Sequence, residues 1–210
     1  MTLDVLERAS EGDPAGTLVL LHGRGADEHD LYPLFDALDP ERRLRGVTPG
    51  GPLALPPGGR HWYRLGGIPT PDPETFWPSF EALSELLDGL DGPVVLGGFS
   101  QGAVMSYALS LGRSPDRRPV ALLPLSGFMP AVDGLKLELT GLEGFPVAIA
   151  HGTLDPIIPV DYSRGARDAL AAAGADVAYH ESPLGHTIDP RIIPALRGFV
   201  ASAFERPQTP

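Results

Sequence analysis

One serine in the chain stands where the backbone around it must turn sharply. Gly98-Phe99-Ser100-Gln101-Gly102 places a glycine two residues to either side of Ser100. In a tight strand-to-helix turn the central residue is held in a strained conformation, and a Cβ at either flanking position would collide with the crossing strand and helix. The hydroxyl then projects above a sheet at a helix N-terminus, where developing negative charge is favoured. That is the setting of a nucleophile. The pattern alone is weak in a glycine-rich chain, and its bland alternative is a plain turn with Ser100 as N-cap. The apolar run Val94-Val95-Leu96 before it and the helical pattern Ala103 to Leu111 after it supply the required context.

A serine needs a base, and the base needs an acid to orient it. In α/β-hydrolases they follow in the order Ser, Asp or Glu, His, so the search runs past Ser100. His180 lies inside a strand pattern that fixes its side chain. His151 closes a strand beside Gly152 and is within reach, but no acid-bearing loop is arranged for it as base. His186, in Pro183-Leu184-Gly185-His186, falls between the last strand and the last helix, at the edge where α/β sites form. For the acid, Asp155 lies in the loop after the strand 147–150. Asp161, Asp168 and Asp176 fall on helical or strand-start positions, and Asp189 reads as an N-cap. Ser100, Asp155 and His186 are therefore the expected nucleophile, acid and base.

The oxyanion of acyl transfer needs two fixed N–H donors. The residue after the nucleophile, Gln101, supplies one, and the loop after an early strand supplies the other. His22-Gly23-Arg24-Gly25 follows the apolar run 18–21, and its glycines let backbone approach a ligand; Arg24 N–H is the expected second donor. The Arg24 side chain either faces solvent or meets a carboxylate on a substrate.

The elements that position these residues follow from periodicity. Short apolar runs at 17–21, 93–98, 120–125 and 146–150 read as strands buried on both faces, and 176–180 as a further strand nearer an edge. Between them 30–38, 76–90, 100–111 and 160–173 carry helical apolar spacing. Asp189-Pro190 opens a last helix to about residue 204, with an irregular start because of Pro194. Strands alternating with helices predict an α/β fold: a mostly parallel twisted sheet, helices on both faces, and a minimal lid. One domain is expected over 1–210, its core at about 16–204 and its tail 206–210 frayed. Segments 49–73 and 128–144 resist the pattern, and such loops usually have a task or hide an element.

Composition sets the outer limits. Glycine and proline are frequent, 26 and 24 of 210 residues, but 42% hydrophobic and 20% charged residues describe a globular chain. The net charge is −11, and the densest basic group, Arg42, Arg43 and Arg45, adjoins Glu41 and reads as a solvated strand edge. Nucleic-acid binding and docking on an anionic membrane are disfavoured. The charge favours neutral or cationic substrates only weakly. Without cysteine there is no disulfide, thiolate zinc site or cysteine nucleophile. No signal peptide and no apolar run of membrane-spanning length is seen, so a cytoplasmic protein without stable membrane insertion is expected.

Five ordered blocks resemble the phospholipase/carboxylesterase family of serine α/β-hydrolases, which includes acyl-protein thioesterases and small bacterial carboxylesterases. They are Leu20-Leu21-His22-Gly23-Arg24-Gly25, Gly98-Phe99-Ser100-Gln101-Gly102-Ala103, Leu125-Ser126-Gly127-Phe128, His151-Gly152-Thr153-Leu154-Asp155-Pro156-Ile157-Ile158-Pro159 and Gly185-His186-Thr187-Ile188. The resemblance spans about 16–204. It implies the same triad, the Arg24 and Gln101 N–H groups as oxyanion hole, and no metal or cofactor. His61-Trp62-Tyr63 is similar to the family's aromatic stretch lining the acyl cleft; Trp62, Tyr63, Phe128 and Met129 are the residues expected to wall it. Tyr63 stands where many relatives have Phe, and Arg24 where an apolar residue is common. With no large apolar lid in the sequence, the expected substrate is a small acyl ester of short or medium chain; thioester or lysophospholipid cleavage and a peptidase on the same fold are the alternatives. Pairing into a homodimer is part of the resemblance. A non-catalytic binding module keeping the fold is the rival from another class, and no triad member is missing to favour it.

Overall fold

The computed structural model describes residues 2–205; the tail expected to fray, 206–210, lies outside them. Seven strands form one sheet in the order β1-β3-β2-β6-β7-β8-β9: β1 Val5–Arg8, β2 Thr17–Leu21, β3 Arg45–Pro49, β6 Val94–Phe99, β7 Ala121–Leu125, β8 Pro146–Gly152 and β9 Asp176–Ser182. Only β1 runs antiparallel to its neighbour; the other pairings are parallel. The expected strands are all present, and β9 is the expected edge.

Strand side chains alternate between two apolar layers. Leu18 and Leu20 of β2, Val95 of β6 and Ala148 and Ala150 of β8 meet α1 (Leu34–Leu38) and α5 (Ile193–Glu205) through Phe35, Leu38, Leu196 and Val200. On the other face Val19, Leu21 and Leu96 meet α2 (Pro73–Asp88) and α3 (Gln101–Leu111) through Phe76, Leu83, Val104 and Met105. There too Val147 and Ile149 meet α4 (Asp161–Ala172) through Ala166 and Leu170. Every residue of α3 is buried, including Ser106 and Ser110, so its apolar stripe understates how central it is.

Several expectations need correction. The helix expected over 30–38 begins at Leu34, because Pro33 disfavours helical backbone in the residue before it. Its apolar spacing still holds: Leu31, Phe35 and Leu38 are buried. β3 was hidden by Gly46 and Pro49, which read as turn residues; Gly46 is needed because a Cβ there would strike the Phe35 ring. Arg45 opens β3, which lies between β1 and β2 rather than at the sheet edge, and pairs with Glu7 of β1. The segment 49–73 contains a small hairpin, β4 Leu53–Ala54 with β5 Arg60–His61. The last helix has its irregular start: Asp189 accepts the Arg191 N–H and caps the 3-10 turn Pro190–Ile192, from which α5 continues. Among the described residues no helix is long and apolar enough to cross a membrane.

Candidate active site

Ser100 joins β6 to α3 with φ 55° and ψ −118°, a left-handed φ rare for a residue with a side chain. The flanking glycines are required as expected. A Cβ on Gly98 would run into the backbone of Gly102, and one on Gly102 into the carbonyl of Leu21. Ser100 N–H is held by Leu125 O at 2.9 Å. Its side chain caps nothing at the helix start, so the plain N-cap alternative fails.

The hydroxyl is engaged elsewhere. Ser100 Oγ lies 2.8 Å from His186 Nε2, and His186 Nδ1 lies 2.6 Å from Asp155 Oδ2. The other Asp155 oxygen accepts the N–H groups of Ile157 and Ile158 at 2.8 and 2.9 Å. Burial works to raise the Asp155 pKa, but hydrogen bonds from His186, Ile158 and Ile157 outweigh it and hold the carboxyl below its ordinary value. An ionised carboxylate only accepts, so Nδ1 carries the imidazole proton and Nε2 is free to accept from Ser100. The two loops that bring acid and base together are bonded to each other: Leu154 N–H donates to Leu184 O and Thr153 N–H to Ser182 O. Gly152 is glycine because a Cβ there would overlap the carbonyls of Leu184 and Gly185.

His151, weighed as a base from sequence, does not reach Ser100. Its Nε2 lies 2.8 Å from Ile158 O and 3.3 Å from Asp155 Oδ2, behind the acid. Its Nδ1 is buried without a partner among the described residues. Burial lowers its pKa more than the contacts with Ile158 and Asp155 raise it, so it stands neutral.

Arg24 N–H makes no hydrogen bond among the described residues, and Gln101 is the first residue of α3, whose N–H has no partner one turn back. His22 Nδ1 lies 2.7 Å from Gly23 O. Gly23 C=O and Arg24 N–H share one trans peptide, so fixing the carbonyl aims the N–H the opposite way. Gly23 passes so close to the elbow that a Cβ would lie 3.3 Å from that of Ser100. Hairpin β4–β5 supports the loop from outside: Gly25 N–H donates to Arg60 O and Arg60 N–H to Ala26 O.

The residues expected to wall an acyl cleft are placed differently. Trp62 and Tyr63 are 0% and 2% exposed, and Phe128 is 3% exposed; all three belong to the core layer under α2 and α3. Met129 is half-buried against the α4 layer. Trp62 is held there by polar contacts: its indole N–H donates to His22 O at 2.8 Å and its backbone N–H to Gln101 Oε1 at 3.1 Å. Gln101 Nε2 in turn donates to Tyr63 O at 2.9 Å. These residues brace the His22 loop and the start of α3 from beneath. The Gln101 side chain and the His22 ring were missed by sequence reasoning, since their partners lie in the loop that resisted the pattern.

Of Ser100, His186 and Asp155, only His186 borders an open cleft on the side of α1. A cleft of about 270 Å³ runs between the start of α1 and the His186 loop, lined by Asp30, Leu34, Phe99, His186 and Ile188. The Phe99 ring stands 4.8 Å from the imidazole, centre to centre. Elsewhere, Asp27, Glu28 and His29 bring possible metal-ligating atoms together on the surface, where His29 already bonds Asp27.

A mostly parallel sheet flanked by helices, with a serine, a histidine and an aspartate on the loops after β6, β9 and β8, defines an α/β-hydrolase. The phospholipase/carboxylesterase family model matches residues 7–203, and the chain belongs to that family. It is 30% identical over 197 residues to the esterase YpfH of Escherichia coli, covering 87% of this chain and 81% of that protein. It is 29% identical over 205 residues to acyl-protein thioesterase 1 of Debaryomyces hansenii, covering 83% and 85%. Among solved structures, the Bacillus cereus carboxylesterase superposes with a TM-score of 0.81 at 25% identity, over 96% of this chain and 94% of that one. The protein is a hydrolase of the carboxylesterase and thioesterase type.

Proposed function

We propose that the protein cleaves carboxylic esters of short to medium acyl chain through an acyl-enzyme. The observation that carries this reading is the unbroken chain of hydrogen bonds from Ser100 through His186 to Asp155. Ser100 Oγ attacks the acyl carbonyl while His186 Nε2 takes its proton, and Asp155 holds the imidazole tautomer and balances the imidazolium. The Arg24 and Gln101 N–H groups receive the oxyanion. His186 hands the proton to the leaving oxygen as the alcohol departs. A water, deprotonated by the same nitrogen, then releases the acid and restores Ser100. The short chain length is supported by the absence, among the described residues, of any helix inserted as a lid over the triad.

A thioester is the second reading. Three of the curated relatives bear the name acyl-protein thioesterase, and Leu154 and Ile157 flank Asp155 with exposed apolar side chains that a longer acyl chain would cover. Comparing p-nitrophenyl butyrate with a butyryl thioester, over a series of chain lengths, separates the two. For the proposal itself, Ser100→Ala is expected to fold and to lose p-nitrophenyl butyrate hydrolysis. Full turnover in the purified variant would overturn it and leave another nucleophile.

A further inference from the structure

Resting on the ester-hydrolase reading, we infer that the cleft beside His186 is the leaving-group subsite and that Asp30 selects for alcohols carrying a positive charge. The direction follows from the proton's path. As the Ser100 Oγ–carbonyl bond forms and the carbonyl–alkoxy bond breaks, the proton that left Ser100 passes from His186 Nε2 to the alkoxy oxygen. That oxygen must lie against His186, and its substituent extends into the open space that His186 walls.

The lining of this space has a definite chemistry. Leu34, Phe99 and Ile188 are apolar and partly buried against the core. Asp30 is exposed, and its carboxylate makes no hydrogen bond or ion pair among the described residues. Asp27 and Glu28 stand with it, and all three carboxylates favour positive charge at the nearby His22 ring, although burial outweighs them there. The neighbouring cations do not reverse this field. Arg60 is paired with Asp4 and lies 3.8 Å from Glu28, and Arg24 is a single exposed side chain against three carboxylates in a chain of net charge −11. An apolar wall with an aromatic face and one unpaired carboxylate suits an ammonium group on a short carbon stem. The substrate class is therefore esters of amino alcohols, with neutral alcohols second and anionic ones disfavoured.

Butyrylcholine and its uncharged carbon isostere, 3,3-dimethylbutyl butyrate, share shape and acyl group and differ in charge. The ratio of their kcat/KM values is the readout, whatever a variant does to absolute rates. Asp30→Asn is expected to lower that ratio about three- to five-fold, the scale of one exposed charge pair. Glu11→Gln, which removes the same charge at the far end of the sheet, is expected to keep the wild-type ratio. Raising salt from low to high ionic strength is expected to lower the ratio in the wild type and much less in Asp30→Asn. An unchanged ratio in Asp30→Asn, or a salt response equal in both proteins, would overturn the subsite. Failure of the wild type to hydrolyse either ester would instead remove the esterase reading, and the subsite with it.

Discussion

Gly51 N–H donates to His22 Nε2 at 2.8 Å, while the other nitrogen of that ring holds Gly23 O at 2.7 Å. One neutral imidazole thus ties the loop after β3 to the peptide that presents Arg24 N–H. The tautomer is fixed by its partners: Nε2 must accept and Nδ1 must donate. His22→Phe keeps the ring volume and removes both bonds. It is expected to lower kcat for p-nitrophenyl butyrate about 10- to 100-fold, somewhat less than the roughly 10²- to 10³-fold cost of deleting an oxyanion donor outright. KM is expected to change little, because the loss falls on the transition state. A kcat within two-fold of wild type, of order that scatter alone, would show that the loop holds its shape without His22.

Gln101 has a second duty besides its own N–H. Its amide accepts from Trp62 N–H and donates to Tyr63 O, pinning the start of α3 to the segment after β5. Gln101→Leu leaves a buried N–H without its acceptor, at a cost of about 1–3 kcal/mol. Urea unfolding is expected to show the midpoint fall at unchanged slope.

Acid is expected to weaken the fold through two buried histidines. Burial lowers the pKa of His22 and of His151, despite opposing contacts with Gly23 O and with Ile158 O and Asp155. Below about pH 6.5 the unfolded histidines take up protons that the folded ones refuse. Their contribution is therefore complete at neutral pH and is lost as pH falls from 6.5 through the lower folded values. Thermal midpoints are expected to be level above pH 7 and to drop steadily below about pH 6.5. His151→Gln is expected to make that decline shallower, and a midpoint flat down to pH 5 would contradict the assignment.

Strain at Ser100 sets up a comparison between two variants that both lack its hydroxyl. Ser100 holds φ 55° in a region L-residues avoid. Ser100→Ala keeps the strain, and Ser100→Gly relieves it. Both are expected to lose hydrolysis, with the glycine variant about 1 kcal/mol more stable after its larger unfolded-state entropy is counted. Equal stabilities would mean that the turn imposes no strain.

Much of this molecule is readable along the chain, and the boundary is physical. β2, β7 and β8 are buried along their whole length, so their sequences are nearly continuous apolar runs. Ser100, Asp155 and His186 lie beyond the ends of β6, β8 and β9, and their loops carry the glycines that close approach demands. β3 was illegible because Gly46 answers to the Phe35 ring across the layer, which no local pattern records. Trp62 and Tyr63 look like cleft aromatics until the Gln101 amide and the His22 carbonyl, about 40 residues away in sequence, are seen to hold them inside. The acidic rim at Asp30 was equally hidden, since Pro33 shortens the helix pattern that seemed to contain it.

The covalent step is tested most directly by trapping it. The protein is mixed with p-nitrophenyl butyrate, quenched in acid within the first turnover, digested, and read by peptide mass spectrometry. One butyryl group on Ser100, formed with a stoichiometric burst of p-nitrophenol and absent in Ser100→Ala, is the expected result. Steady turnover with no acyl group on Ser100, or with the acyl group on another residue, would contradict the account.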